Sequence, residues 1–293
     1  MRFLIIFLFS PLYFFGQTSF SGTVINAKTK AMIPFATIGL MKENIGTNAN
    51  EDGSFSLISR TNRANDTLII SCVGFIPKKL PVDGNNNINL VIELTEQVTI
   101  LNEIVIKNKI NWTTVTLNEF SKCGNNFLTT NGYQTQLAQH FKVDKYNSLL
   151  TEIKICRRSM SVIDPDKTIF RIRIYDIDTV TKTPSIDLCD QIIEIKTKGK
   201  FINLNVEKYK IFIPNKDFFV AIEWLKIRYN ENKRKAKVNG KEVEYITYSP
   251  SIGLTENINE NREVWMLDYN NIWRSMFPMN NKTSVSISVT VKY

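Results

Sequence analysis

Histidine is nearly missing from this 293-residue chain, with His140 the only one present. Ser-His-Asp and Cys-His nucleophilic machinery would each have to use it. Its setting, "QLAQHFKV", is strand-like and lacks a G-x-S-x-G turn, so His140 is read as a polar residue on a strand face. Cysteine is also sparse: Cys72, Cys123, Cys156 and Cys189 include no C-x-x-C interval and meet no zinc template. One histidine and scattered thiols do not make a transition-metal site, so no metal ligands and no cofactor are assigned. Downstream of the N-terminus no apolar run approaches the roughly 20 residues of a membrane helix. No transmembrane helix is expected.

What is present begins with an address. In "MRFLIIFLFSPLYFFGQ", Arg2 precedes an apolar run from Phe3 to Phe15 and a small residue, Gly16. That is the pattern of a signal peptide over residues 1–17, followed by no lipidation cysteine. The mature chain is expected in an oxidising compartment, the periplasm or the outer-membrane or cell surface. There the cysteines can pair. Cys72 lies in the apolar run "TLIISCVGF" and is expected as a buried thiol, with any bridge drawn from the other three. The net charge of +9 favours anionic surfaces or acidic polysaccharide. Nucleic acid is not expected as a partner of an exported chain.

Residues 18–107 read as short strands separated by turns: "SFSGTVINA", "FATIGL", "GSFSLIS", "DTLIISCVGF", "NINLVIEL" and "NEIVIKN". The stretch "GTNANEDGSFSL" admits a calcium loop or a hairpin tip. The twelfth position from Asn48 is Ser59 where an EF-hand needs Glu, and both flanks are strands rather than helices. Asp52-Gly53 is a hairpin signal, because Gly takes the positive φ that such turns need. A hairpin is expected.

Gly22-x-Val24, Ile33-Pro34-Phe35-Ala36-Thr37-Ile38, Gly46-Thr47, Asp52-Gly53-x-Phe55 and Ser71-x-x-Gly74-Phe75 carry a resemblance. Their order closely resembles the carboxypeptidase regulatory-like domain, a transthyretin-like β-sandwich. Leu101 to Ile106 looks like the exit strand seen where this module heads exported proteins of Bacteroidetes. The resemblance implies a non-catalytic module. Ala27 departs from the Asp that the family often carries in the first turn, which implies a differently built turn. No TonB-dependent barrel is expected in the fewer than 190 residues that follow it.

Residues 108–293 continue in strands, among them "SLLTEIKICRR", "TIFRIRIYDI", "DFFVAIEWL" and "SVSISVTVKY". Phe170, Ile172 and Ile174 alternate with Arg171, Arg173 and Tyr175, as on a strand with one wet face. "FFVAIEWL" is apolar on both faces and belongs at a sheet centre. The fold class is therefore all-β: a transthyretin-like sandwich followed by a second, jelly-roll-like sandwich of about eight strands. Val285, Ile287, Val289, Val291 and Tyr293 would also suit the last strand of a small outer-membrane barrel, a rival reading. The run from "IFRIRIYDI" to "FFVAIEWL" is similar to the region behind the same module in exported proteins of unassigned function. That similarity implies no activity.

No catalytic residue is assigned. Asp176, Asp178, Glu223 and Asp268 could supply the facing carboxylates of a glycosidase, with Glu223 the most conspicuous in its apolar setting, but nothing pairs it with a second carboxyl. Asp164 and Asp166 read as turn formers around Pro165. Ligand binding is assigned to two places. "NREVWMLDYNNIWRSMF" places Tyr269 and Trp273 in a turn with Asn270, Asn271 and Arg274, flat rings beside groups that satisfy hydroxyls, while Trp265 reads as core. "KIRYNENKRKAKVNGK" offers Lys233, Arg234, Lys235 and Lys237 on an arm closed by Asn239-Gly240. The expectation is a non-enzymatic envelope protein that binds a polysaccharide or other envelope polymer. The alternatives are a scaffold pairing with another envelope protein and a glycan-active enzyme using Glu223.

Overall fold

Alternating apolar residues in short runs, punctuated by Asn, Gly and Pro, fold the first part of the chain into two small facing sheets. The computed structural model describes residues 18–59, 65–82, 87–97, 112–158, 167–256, 263–276 and 283–293. The leader over residues 1–17, the exit strand Leu101 to Ile106, the division at 107/108, and Asp164 and Asp166 lie outside the described residues.

The first module holds β1 (Thr18–Asn26), β2 (Thr37–Leu40), β3 (Ile45–Asn48), β4 (Ser54–Ser59), β5 (Asp66–Ser71), β6 (Lys78–Val82) and β7 (Asn87–Leu94). One sheet has the order β4-β1-β7, with β1 parallel to β7, and the other the order β3-β2-β5-β6. Phe20, Val24, Phe55, Leu57 and Ile92 from the first sheet meet Ile38, Leu40, Leu68 and Ile70 from the second. Each such side chain contributes about 1.5–3 kcal/mol by leaving water.

One turn departs from expectation and another follows it. Asp52-Gly53 does reverse the chain: Gly53 has φ +74°, and Asp52 Oδ1 accepts hydrogen bonds from Ser54 N at 2.9 Å and Ser54 Oγ at 2.6 Å. It is not a hairpin, however. β3 pairs with β2 and β4 pairs with β1, so the turn is an arch from one sheet to the other. Asp-Gly chemistry fixes the reversal, while Phe55 and Leu57, drawn under β1, decide the partner. At the first turn, where Ala27 stands, Asn26 does the work: its Oδ1 accepts from Lys28 N at 2.8 Å and Thr29 N at 3.1 Å.

The second module runs through β8 (Thr114–Leu117), β9 (Phe127–Thr130), β10 (Gln134–Lys142), β11 (Ser148–Arg158) and β12 (Thr168–Ile177). It continues with β13 (Pro184–Asp187), β14 (Ile193–Thr197), β15 (Phe201–Asn205), β16 (Phe212–Ile213), β17 (Asp217–Trp224) and β18 (Glu231–Val238). β19 (Lys241–Glu256), β20 (Val264–Asp268), β21 (Trp273–Ser275), β22 (Thr283–Val285) and β23 (Ile287–Lys292) complete it. These form a seven-stranded sheet, β13-β12-β17-β10-β20-β21 with β14 beside β12, and a nine-stranded sheet along β18-β19-β11-β23-β8. The expected eight strands are about doubled among the described residues. Long strands are flanked by successive short partners: β13 and β14 share β12, and β15 and β16 share β11.

β17 lies at the centre of its sheet between β12 and β10, as its two apolar faces require. The core joins Leu137, Phe170, Val220 and Ile222 of one sheet to Leu150, Ile153, Ile155 and Val289 of the other. Val285, Ile287, Val289 and Val291 all point into this core, which accounts for the alternation of the last strand. A disulfide joins Cys123 to Cys156 with Cα atoms 5.7 Å apart. Closing its 33-residue loop stabilises the fold by about 4 kcal/mol in the chain-entropy model. Cys189 is a buried free thiol, and Cys72 is free but half-buried rather than buried.

The expected wet face of β12 is not wet. Arg171 is 1% exposed and Tyr175 is buried, because the first module lies over this side of the seven-stranded sheet. Arg171 donates from Nη2 to the Pro34 carbonyl at 3.0 Å and from Nη1 to the Phe35 carbonyl at 3.3 Å, and its guanidinium stands 5.5 Å from the centre of the Phe35 ring. Phe35, Ile169, Leu225 and Ile227 form a small apolar cluster at the joint. Asn48 Oδ1 accepts from Lys226 N at 2.7 Å, and Lys226 Nζ donates to the Gly46 carbonyl at 2.6 Å.

Candidate functional site

Beside this joint the two modules leave a cleft of about 480 Å³. β2 and the segment from Ser71 to Pro77 line one side, and the outer face of β10, β12, β13, β17 and β20 lines the other. The size is that of a small-molecule or single-residue site.

Register builds the floor. Glu223 is the cross-strand partner of Gln136 on one side and Arg171 on the other, and Arg173 lies diagonally across from it. Glu223 is buried, and its Oε2 is 3.5 Å from Arg173 Nη1. Arg173 is also bonded through Nε and Nη2 to Asp187 Oδ2. One guanidinium thus serves two carboxylates, and charges taken this far from water require such pairing. Burial raises Asp187 above the usual aspartate range, with Arg173 opposing it. Tyr175 donates to Gln136 Oε1 at 2.9 Å, and burial pushes its phenol up so that it stays a donor.

Aromatic rings form the wall. Trp273, half-buried on β21, meets Tyr175 edge-on with ring centres 5.7 Å apart. Asn271 and Asp268 stand beside it. Asp268 accepts from Asn270 N at 2.9 Å and Ile272 N at 3.0 Å, and pairs with Arg274 at 3.3 Å, which fixes the turn.

Of the residues assigned to binding, Tyr269, Asn271 and Trp273 line this cleft. Tyr269 was expected to be exposed and is instead 5% exposed, locked into the joint. Its N–H donates to Asn44 Oδ1 at 3.0 Å, and its ring lies over the cross-strand pair Gly39 and Gly46. A methyl group on Gly46 would overlap the ring carbons Cδ1 and Cε1, and one on Gly39 would sit 3.1 Å from Cδ1. Asn270 and Arg274 brace the turn from outside the cleft lining. Lys233, Arg234, Lys235 and Lys237 are on β18, in the other sheet, so the two assigned places are separate. Trp265 was expected in the core. It lies half-buried on the outer face near Trp273 and donates to Glu263 at 3.1 Å.

The other carboxylates are occupied structurally. Asp176 accepts twice from Asn215 Nδ2 at 2.9 Å, and Asp178 receives Val180 N and Thr181 N in a turn. His140 is on β10 with Nε2 2.9 Å from Asp217 Oδ1. Sequence reasoning missed Arg173, Asp187, Tyr175 and Gln136, because nothing in a strand's text reveals that another module covers its polar face. Cys72 and Cys189 also line the cleft, and burial raises both thiols, Cys189 to about 11. Among the described residues no group of three His, Cys, Asp or Glu is placed to hold a metal ion, and no helix is long and apolar enough to cross a membrane.

Residues 20–106, the N-terminal module, match the CarboxypepD_reg-like domain. No curated protein matches the chain. Among solved structures, the clostridial cysteine protease Cwp84 after propeptide cleavage aligns with 94% of this chain and 70% of its own at 8% identity and TM-score 0.37. A DUF3823 family protein from Parabacteroides merdae aligns with 92% of this chain and 98% of its own at 8% identity and TM-score 0.22. Likenesses this distant carry no argument about activity.

Proposed function

We propose that this protein is an exported, non-catalytic component of the bacterial envelope that binds a glycan or related polymer in the cleft between its two sandwiches. One observation carries the reading: the Trp273 ring and Asn271 line the wall of a cleft of single-residue size whose floor holds the fixed donors and acceptors Arg173, Asp187 and Gln136. Sugar rings stack their C–H faces on such aromatics and satisfy their hydroxyls with such polar groups. A glycosidase would need its two carboxyls to divide acid and nucleophile or base roles, whereas Asp187 and Glu223 share one guanidinium. The leader pattern and the Cys123–Cys156 bridge support export.

The test is binding of Thr18–Tyr293 to a panel of polysaccharides and peptidoglycan fragments, compared with Trp273→Ala. Tyr269 is unsuitable as a probe because its loss would loosen the joint. The variant should keep its fold and lose about tenfold or more in affinity, in line with an aromatic anchor of roughly 1.5 kcal/mol or more. Unchanged affinity in the folded variant would remove the cleft from consideration.

A further inference from the structure

The hairpin of β18 and the first part of β19 is not needed to cover either core. Its strands pair from Glu231↔Tyr248 to Val238↔Lys241, closed by Asn239 and Gly240 at φ +51° and +78°. Cross-strand partners share a face, which divides the arm cleanly. On one face Arg234 faces Tyr245, Ala236 faces Val243, and Val238 faces Lys241. On the other, Lys233, Lys235 and Lys237 stand beside Ile246, Glu244 and Glu242, with Lys235 paired to both carboxylates. Val238 is 53% exposed, Val243 44%, Tyr245 43% and Ile246 40%. An apolar stripe with an aromatic at its base thus ends at a tip flanked by Lys237 and Lys241.

We propose that this arm docks the protein onto an anionic lipid bilayer, the tip and the Val238–Val243–Tyr245 stripe entering the interfacial zone and the lysines meeting headgroup phosphates. Charge complementarity selects the occupant: five cations, Lys233, Arg234, Lys235, Lys237 and Lys241, outnumber the three carboxylates Glu231, Glu242 and Glu244, and Glu231 stands at the base of the arm, away from the tip. An acidic polysaccharide would answer the charge and leave the valines in water. A bilayer answers both, since apolar groups partition inward, tyrosine favours the headgroup level and each basic residue near the surface adds attraction. Lysines along an edge strand also discourage pairing with another strand, which disfavours a β-augmenting protein partner. The proposal does not depend on the cleft reading.

Flotation of Thr18–Tyr293 with phosphatidylcholine vesicles, and with equal parts phosphatidylcholine and phosphatidylglycerol, tests it. Binding should require the anionic lipid and weaken with salt. Lys233→Gln, Lys235→Gln, Lys237→Gln together should reduce it roughly a hundredfold, at about fivefold per cation. Val238→Asp with Val243→Asp should abolish it while circular dichroism stays unchanged. Equal flotation with both vesicle types, or binding indifferent to the aspartates, would overturn the proposal. So would capture by an anionic polysaccharide that survives Val238→Asp, Val243→Asp in a chain that ignores vesicles.

Discussion

Two basic groups in the second module, alike in the sequence, have opposite situations. Arg171 and Arg173 alternate with apolar residues on an inner strand: Arg171 is sealed under the first module against the Pro34 and Phe35 carbonyls and the Phe35 ring, and Arg173 lies on the cleft floor between the carboxylates of Asp187 and Glu223. Lys233, Lys235 and Lys237 share one face of an edge strand and are exposed there. The difference follows the chemistry of the side chains. A planar guanidinium satisfies several partners from one position and tolerates burial, whereas an ammonium keeps its hydration and stays outside. Arg171 ties the two modules together and Arg173 orders the cleft floor, while the charge on the arm faces solvent.

The largest effect expected from breaking this contrast is at Arg171. Arg171→Met should lower stability by about 3 kcal/mol, since the Pro34 and Phe35 carbonyls lose charged donors, and urea unfolding should then separate into two steps, one per module. Next comes the joint itself. Gly46→Ala should cost about 2 kcal/mol through overlap with the Tyr269 ring and the Ile38 carbonyl oxygen, whereas Gly39→Ala, whose added methyl group meets Tyr269 alone, should cost about 1 kcal/mol and less than half as much in a Tyr269→Ala background. Smallest is the arm, where Lys233→Gln, Lys235→Gln and Lys237→Gln together should shift the urea midpoint by no more than about 0.5 kcal/mol of stability, because exposed charges contribute little to folding.

The parts of this organisation legible in the sequence are those that depend on local chemistry. "FFVAIEWL" reads as a central strand because both its faces are apolar, and Asn239-Gly240 reads as the arm's turn because both residues take positive φ. The N-terminal motifs identify their module by order alone. What escaped were relations between distant segments. Asp52-Gly53 announces a reversal but not which strands it joins. Arg171, Arg173 and Tyr175 alternate in the same way whether water or another sandwich covers them. Tyr269, among asparagines, looks exposed until the bare backbone of Gly39 and Gly46 is brought under its ring. Asp187, on a short strand after "TKTPS", has no local sign that it shares Arg173 with Glu223.

The seat of Tyr269 also has a mechanical meaning. A ring set into the gap above two glycines resists sliding and rotation of one sandwich against the other, as a key does in a shaft. The bonds beside it join Arg171 on β12 to the Pro34 and Phe35 carbonyls, and Lys226, just past β17, to Gly46 and Asn48 on β3. Any sliding that would change the dimensions of the cleft beside the joint has first to lift the Tyr269 ring off Gly39 and Gly46.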